Sequence, residues 1–122
     1  MGIAKNRTLI LDNKTAQESA STTLSECTAE DLSTALQCAI EVDMTFDASA
    51  TAGATVKVFA SGDGTNFDTV EYATQSVDVS AGNAIQVTFP INPAAKYIRV
   101  QVTNLDETYD ITAISVWSIV QE

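Results

Sequence analysis

In the run Leu36-Gln37-Cys38-Ala39-Ile40-Glu41-Val42-Asp43-Met44-Thr45-Phe46, an apolar side chain occupies every even position. Between them stand Gln37, Ala39, Glu41, Asp43 and Thr45. A period of two gives no apolar stripe on a helix, but on a strand it gives one face for a core and one for water. Leu36–Phe46 is therefore a β-strand, with Glu41 among its solvent-facing residues.

Shorter runs repeat the pattern downstream. Val56 and Val58 alternate with Lys57 and Phe59. Ile85, Val87 and Phe89 alternate with Gln86 and Thr88. Ile98, Val100 and Val102 alternate with Tyr97, Arg99, Gln101 and Thr103. A last strand runs from Ile111 to Val120, and weaker ones through Arg7–Asp12, Ser19–Leu24 and part of Thr69–Val79. Turn-rich stretches separate them at 47–54, 61–67, 80–83, 90–93 and 104–110. Only Thr28–Ser33 reads as helical, for one turn, with Thr28 and Asp31 spaced as a capping box. Seven or eight short strands with one wet face each predict an all-β, antiparallel, jelly-roll-like β-sandwich. The length suits one domain over residues 1–122, in which 1–35 form an N-terminal arm or the first strands. Alternating strand directions would bring loops 47–54, 80–83 and 104–110 to one end, and 61–68 and 90–95 to the other.

Composition narrows the function. Hydrophobic residues make up 45% of the chain and charged ones 18%, a balance that favours a folded core over disorder. Sixteen acidic residues against six basic ones give a net charge of −10. Such a chain is poorly suited to nucleic-acid phosphates or anionic membranes. No run of eighteen apolar residues is present to span a bilayer. The chain has no His, the commonest general base and transition-metal ligand. Its two cysteines, Cys27 and Cys38, form no CxxC and are expected to be reduced. The start, Met1 to Asn6, lacks an apolar signal segment, and Asn6 breaks the myristoylation pattern. Nucleophile, dinucleotide and P-loop motifs are absent, so neither catalysis nor a cofactor is expected.

Three features are candidates for a site. Ser61-Gly62-Asp63-Gly64-Thr65-Asn66-Phe67-Asp68 reads as a tight turn, though it resembles part of a calcium loop without the distal Glu. Asp47, Asp106, Glu107 and Asp110 would meet at one end if the loops alternate, and could then chelate calcium. No metal is expected at either place. Candidate interface residues are Phe59 and Tyr97, on wet faces, and Ile114, Val116 and Val120. In the last strand Ile111, Ala113, Ser115, Trp117 and Ile119 read as the core face. Ile114, Val116 and Val120 then make the opposite face apolar, to be covered by the N-terminal segment or another subunit.

The runs Val56–Ser61 with Asp63–Thr69, Lys96–Asn104, and Tyr109–Thr112 leading into Val116-Trp117 resemble small virion structural proteins of tailed bacteriophages. They are also similar to discoidin-like and other galactose-binding-like jelly rolls. The first resemblance implies a capsid decoration (cement) or head-neck/tail accessory protein. It would be made in the host cytoplasm, reside in the virion, form homo-oligomers and bind coat, neck or tail proteins. The second implies a carbohydrate-binding module.

Overall fold

The computed structural model describes residues 5–122, and the expectations about a leader or lipid attachment at Met1–Ala4 lie outside the described residues. Eight strands follow one another: β1 (Lys5–Ala16), β2 (Glu30–Asp31), β3 (Gln37–Phe46), β4 (Ala54–Ser61), β5 (Ala73–Val77), β6 (Ala84–Ile91), β7 (Tyr97–Asn104) and β8 (Ile111–Gln121). They form two four-stranded antiparallel sheets, ordered β1-β8-β3-β6 and β2-β7-β4-β5. The first strand pairs with the last, the second with the seventh, the third with the sixth and the fourth with the fifth. That nesting is one long hairpin, with its tip between β4 and β5, rolled up until its halves face each other. The result is a jelly roll.

β3 shows why the chain folds this way. Its even side chains, Cys38 to Phe46, are all buried between the sheets. They share one core with Val56 and Val58 of β4 and with Ile98, Val100 and Val102 of β7. Burying each large aliphatic side chain contributes roughly 1.5–3 kcal/mol. Loop contacts confirm the two ends. Gly82 donates its N–H to Asp47 O (3.0 Å), and Thr51 donates to Asp106 at one end; Tyr72 Oη donates to Asn92 O (2.6 Å) at the other.

The last strand departs from the expectation, and Ala113 is the reason. Its φ of 52° is left-handed, which is costly for a residue with a Cβ. Here β8 carries an extra residue against β3: Asp43 faces Ser115, but Thr45 faces Thr112. This β-bulge reverses the alternation. Ile111 points inward before it, and Ile114, Val116, Ser118 and Val120 point inward after it. Ile114, Val116 and Val120 are therefore core residues rather than an interface. Ser115, Trp117, Ile119 and Gln121 lie on the outer face.

The segment before β3 also differs from the reading. The one helical turn is a 3-10 turn at Leu24–Glu26, where Glu26 accepts the Thr23 N–H (2.8 Å). Thr28–Ser33 instead contains β2, and Asp31 caps Ser33 N (2.8 Å) as an Asx turn. Ser19–Leu24 forms no strand. It follows β7 through one isolated bridge from Ser21 to Thr103, and the Thr22 hydroxyl accepts the Val102 N–H (3.0 Å).

Candidate functional site

The outer face of the β1-β8-β3-β6 sheet carries the densest arrangement of unusual side chains. Pairing sets Arg7 beside Ile119, Leu9 beside Trp117, Trp117 beside Glu41, and Glu41 beside Thr88. Arg7 crosses β8 to reach β3. Its guanidinium lies 3.9 Å from the Trp117 ring centroid and forms a salt bridge with Glu41. Glu41 is consequently buried, contrary to the exposure that strand alternation suggested, because the arginine and the indole cover it.

Toward one end, this face dips into an apolar groove of about 400 Å³, lined by Leu36, Cys38, Ala39, Pro90, Ile91 and Ile119 among others. Leu36 is 63% exposed there. Toward the opposite end lies Asp43. One of its carboxylate oxygens is buried without a hydrogen-bond partner among the described residues. Burial, and secondarily the neighbouring Glu41 charge, raise the Asp43 pKa against the opposing pull of Arg7.

The β2-β7-β4-β5 sheet covers its aromatics with the loop after β4. Ser61 donates to Asn66 O (2.7 Å), and Asp68 N donates to Ala60 O (2.9 Å), folding 61–68 back over the strands. Phe59 is therefore buried, not wet. Tyr97 is half-buried with its ring against Gly64, where an added Cβ would lie 3.4 Å from it. Arg99 stacks over Phe67 (4.8 Å). Phe59 and Tyr97 do belong to one face, since Phe59 pairs with Arg99 and Tyr97 with Ser61.

The acidic loops are occupied by their own backbone. Asp63 Oδ1 accepts the N–H groups of Asn66 and Thr65 (2.8 Å each) and the Ser61 hydroxyl. Those donors, Asn66 first, hold its pKa below the ordinary carboxylate range. Asp106 accepts from the N–H groups of Thr51, Thr108, Tyr109 and Ala52, which pull its pKa down to about 2. It thus ties the loop before β4 to its own loop before β8 instead of pointing outward. Glu18, Asp47 and Asp110 line a recess of about 360 Å³ beside Tyr109. Among the described residues, no three acidic or cysteine side chains gather closely enough to hold a metal ion. Cys27 and Cys38 are buried free thiols, both pushed up to about 11 by burial. Cys27 Sγ accepts the Val100 N–H (3.3 Å).

No family model matches this chain, and no curated protein does. Among solved structures it is similar to the K1 cleaved adhesin domain of Lys-gingipain from Porphyromonas gingivalis W83. The TM-score is 0.53 at 13% identity, over 99% of this chain and 84% of that one. A chain of the T13 IBDV viral particle gives a TM-score of 0.53 at 13% identity, over 96% of this chain and 31% of that one. This chain thus spans about a third of the viral chain it matches. A carbohydrate-binding module of Cellvibrio mixtus lichenase 5A, solved with cellotriose, gives 0.49 at 10% identity, over 100% of this chain and 98% of that one. At such identities the likeness is one of fold.

Proposed function

We propose that this chain is a structural component of a bacteriophage virion, a capsid decoration or head-neck/tail accessory protein. It works through protein–protein contact and without catalysis. The observation that carries this reading is the character of its exposed apolar surface. Among the described residues, the large hydrophobics that stand out are Leu9, Leu36, Val70, Val79 and Leu105, all aliphatic. No aromatic is more than half-exposed. Trp117 lies under Arg7, Phe67 under Arg99 and Tyr97 against Gly64. A sugar-binding site needs a bare ring face on which to stack, whereas aliphatic side chains dispersed over a sheet and two loop ends suit a protein surface. Repeated at every lattice position, an ordinary interface of about 1,600 Å² would hold a shell together without any single strong contact.

The test is to probe gradient-purified particles from the source culture with antibody against the chain, beside a glycan array with the isolated protein. The expected result is co-purification at many copies per particle, with no saturable glycan binding. Absence from particles together with a specific glycan hit would replace this reading with the carbohydrate-binding one.

A further inference from the structure

We infer that Asp43 is the seat for a cationic side chain, lysine or arginine, carried by the protein partner that covers the outer face of the β1-β8-β3-β6 sheet. The inference rests on the contact role proposed above and names the chemistry of that contact.

A carboxylate oxygen removed from water without a donor is costly, and native proteins seldom leave one so. None of the groups beside Asp43 among the described residues donates to that oxygen. Arg7 is committed to Glu41, two residues along the strand and roughly 7 Å away. Across on β8, the Ser115 hydroxyl accepts the Asn13 N–H (3.1 Å) and makes no hydrogen bond to the buried oxygen of Asp43. Across on β6, Gln86 is paired in register with Asp43, yet no hydrogen bond joins their side chains. The bulge at Ala113 opens the sheet beside Asp43. There Asp43, Thr45, Ile85, Gln86 and Ala113 line a recess of about 330 Å³. A left-handed non-glycine residue and an unmatched carboxylate, both at one recess, are the local costs that persist where a surface is shaped for a partner.

The occupant follows from charge and shape. The chain carries sixteen acidic residues against six basic ones, so a complementary partner surface is basic. A divalent ion would require further oxygen ligands, and no second acidic side chain joins Asp43 in the recess. A lysine or arginine needs only one carboxylate for its head, and its methylene stem can lie along Ile85.

Two measurements test this on the full chain. In the first, isotope-labelled protein is titrated with N-acetyl-arginine amide, with N-acetyl-lysine amide, and with the neutral glutamine analogue as control, reading side-chain carboxyl shifts. Asp43 should show a saturable shift with both cations only, while exposed Asp47 and half-exposed Asp110 drift linearly. Asp43→Asn, shown to be folded by its melting curve, should lose the saturable response at Gln86 and Ala113. An Asp43 response no different from that of Asp47 overturns the inference. In the second, binding to purified particles is compared for wild type and Asp43→Asn, with an expected loss of about tenfold or more. Equal binding by the two overturns the inference and leaves the virion role standing. If the wild type itself does not bind, the virion role falls, and the titration alone decides Asp43.

Discussion

Arg7 and Trp117 are stacked, guanidinium on indole at 3.9 Å, and the same guanidinium bridges onward to Glu41. One side chain thus ties together β1, β8 and β3, the edge strand and the two strands beside it. The Glu41 carboxylate is buried beneath a guanidinium that itself stays half-exposed, so this pair is only partly open to solvent. Arg7→Ala should lower Tm clearly, and its effect should shrink in a Glu41→Ala background, because the two residues act as a unit. Trp117 is the chain's single tryptophan, so its fluorescence reports the stack directly. Arg7→Ala should make it more accessible to acrylamide, and unchanged quenching would show that the stack does not persist in solution.

Val116→Lys should unfold the protein. The side chain is fully buried in the shared core, and an unpaired ammonium there costs more than about 4 kcal/mol. Ile119→Lys, on the outer face three residues on, should cost about 1 kcal/mol or less. Chemical denaturation of both variants checks the phase of β8 after its bulge. Equal costs would place the reversal elsewhere.

Two glycines should respond differently to alanine. At Gly53 an added Cβ would lie 2.1 Å from the Val77 carbonyl oxygen, so Gly53→Ala must push backbone apart and should cost about 3 kcal/mol. At Gly82 there is room, with the nearest atom 3.6 Å away, but φ is +74°. Gly82→Ala should therefore cost only the left-handed penalty, about 1 kcal/mol. Thermal melts at one pH suffice, and the order of the two is the prediction.

Acid should destabilise the fold through Asp106 and Asp63. Both carboxylates have pKa values below the unfolded value near 4, Asp106 at about 2. Their contribution is present above pH 4 and is lost as pH falls toward 2, because the unfolded chain takes up the protons first. Asp43 and Glu30 act in the opposite sense. Their raised pKa values mean that ionisation disfavours the fold, so protonation on acidification relieves them. Asp106→Asn should lower Tm at pH 7 and flatten its fall between pH 4 and 2. Asp43→Asn should leave Tm unchanged or raise it at pH 7. A steeper acid dependence in Asp106→Asn would contradict the assignment.

The sandwich was legible where alternation was unbroken. β3, β6 and β7 alternate cleanly, and their inward faces agree with the reading of Leu36–Phe46, Ala84–Phe89 and Lys96–Thr103, although β6 continues through Pro90 and Ile91, which read as turn. β8 was misread because a bulge leaves no composition signal. Ala113 is an ordinary residue, and only the double run of apolar positions around Ile114 and Val116 hinted at a change of phase. Glu41 and Phe59 were misread for another reason. Alternation tells which side of a strand a residue faces, but it does not tell what lies across that side. Arg7 covers the one, and the loop after Ser61 is folded over the face that holds the other. The face bearing Arg7, Trp117, Glu41 and Asp43 draws on β1, β8 and β3, so only the pairing of first strand with last could reveal it.

That same pairing has a mechanical consequence. Lys5 lies opposite Gln121, so the described ends leave the sandwich side by side from a single antiparallel ladder. A force pulling those ends apart would load the β1–β8 hydrogen bonds one after another, like a zipper, rather than all together in shear. Attached through both ends, the sandwich would peel open at low tension. Gripped across the faces of its sheets, as one tile among many, it would meet load with its whole width.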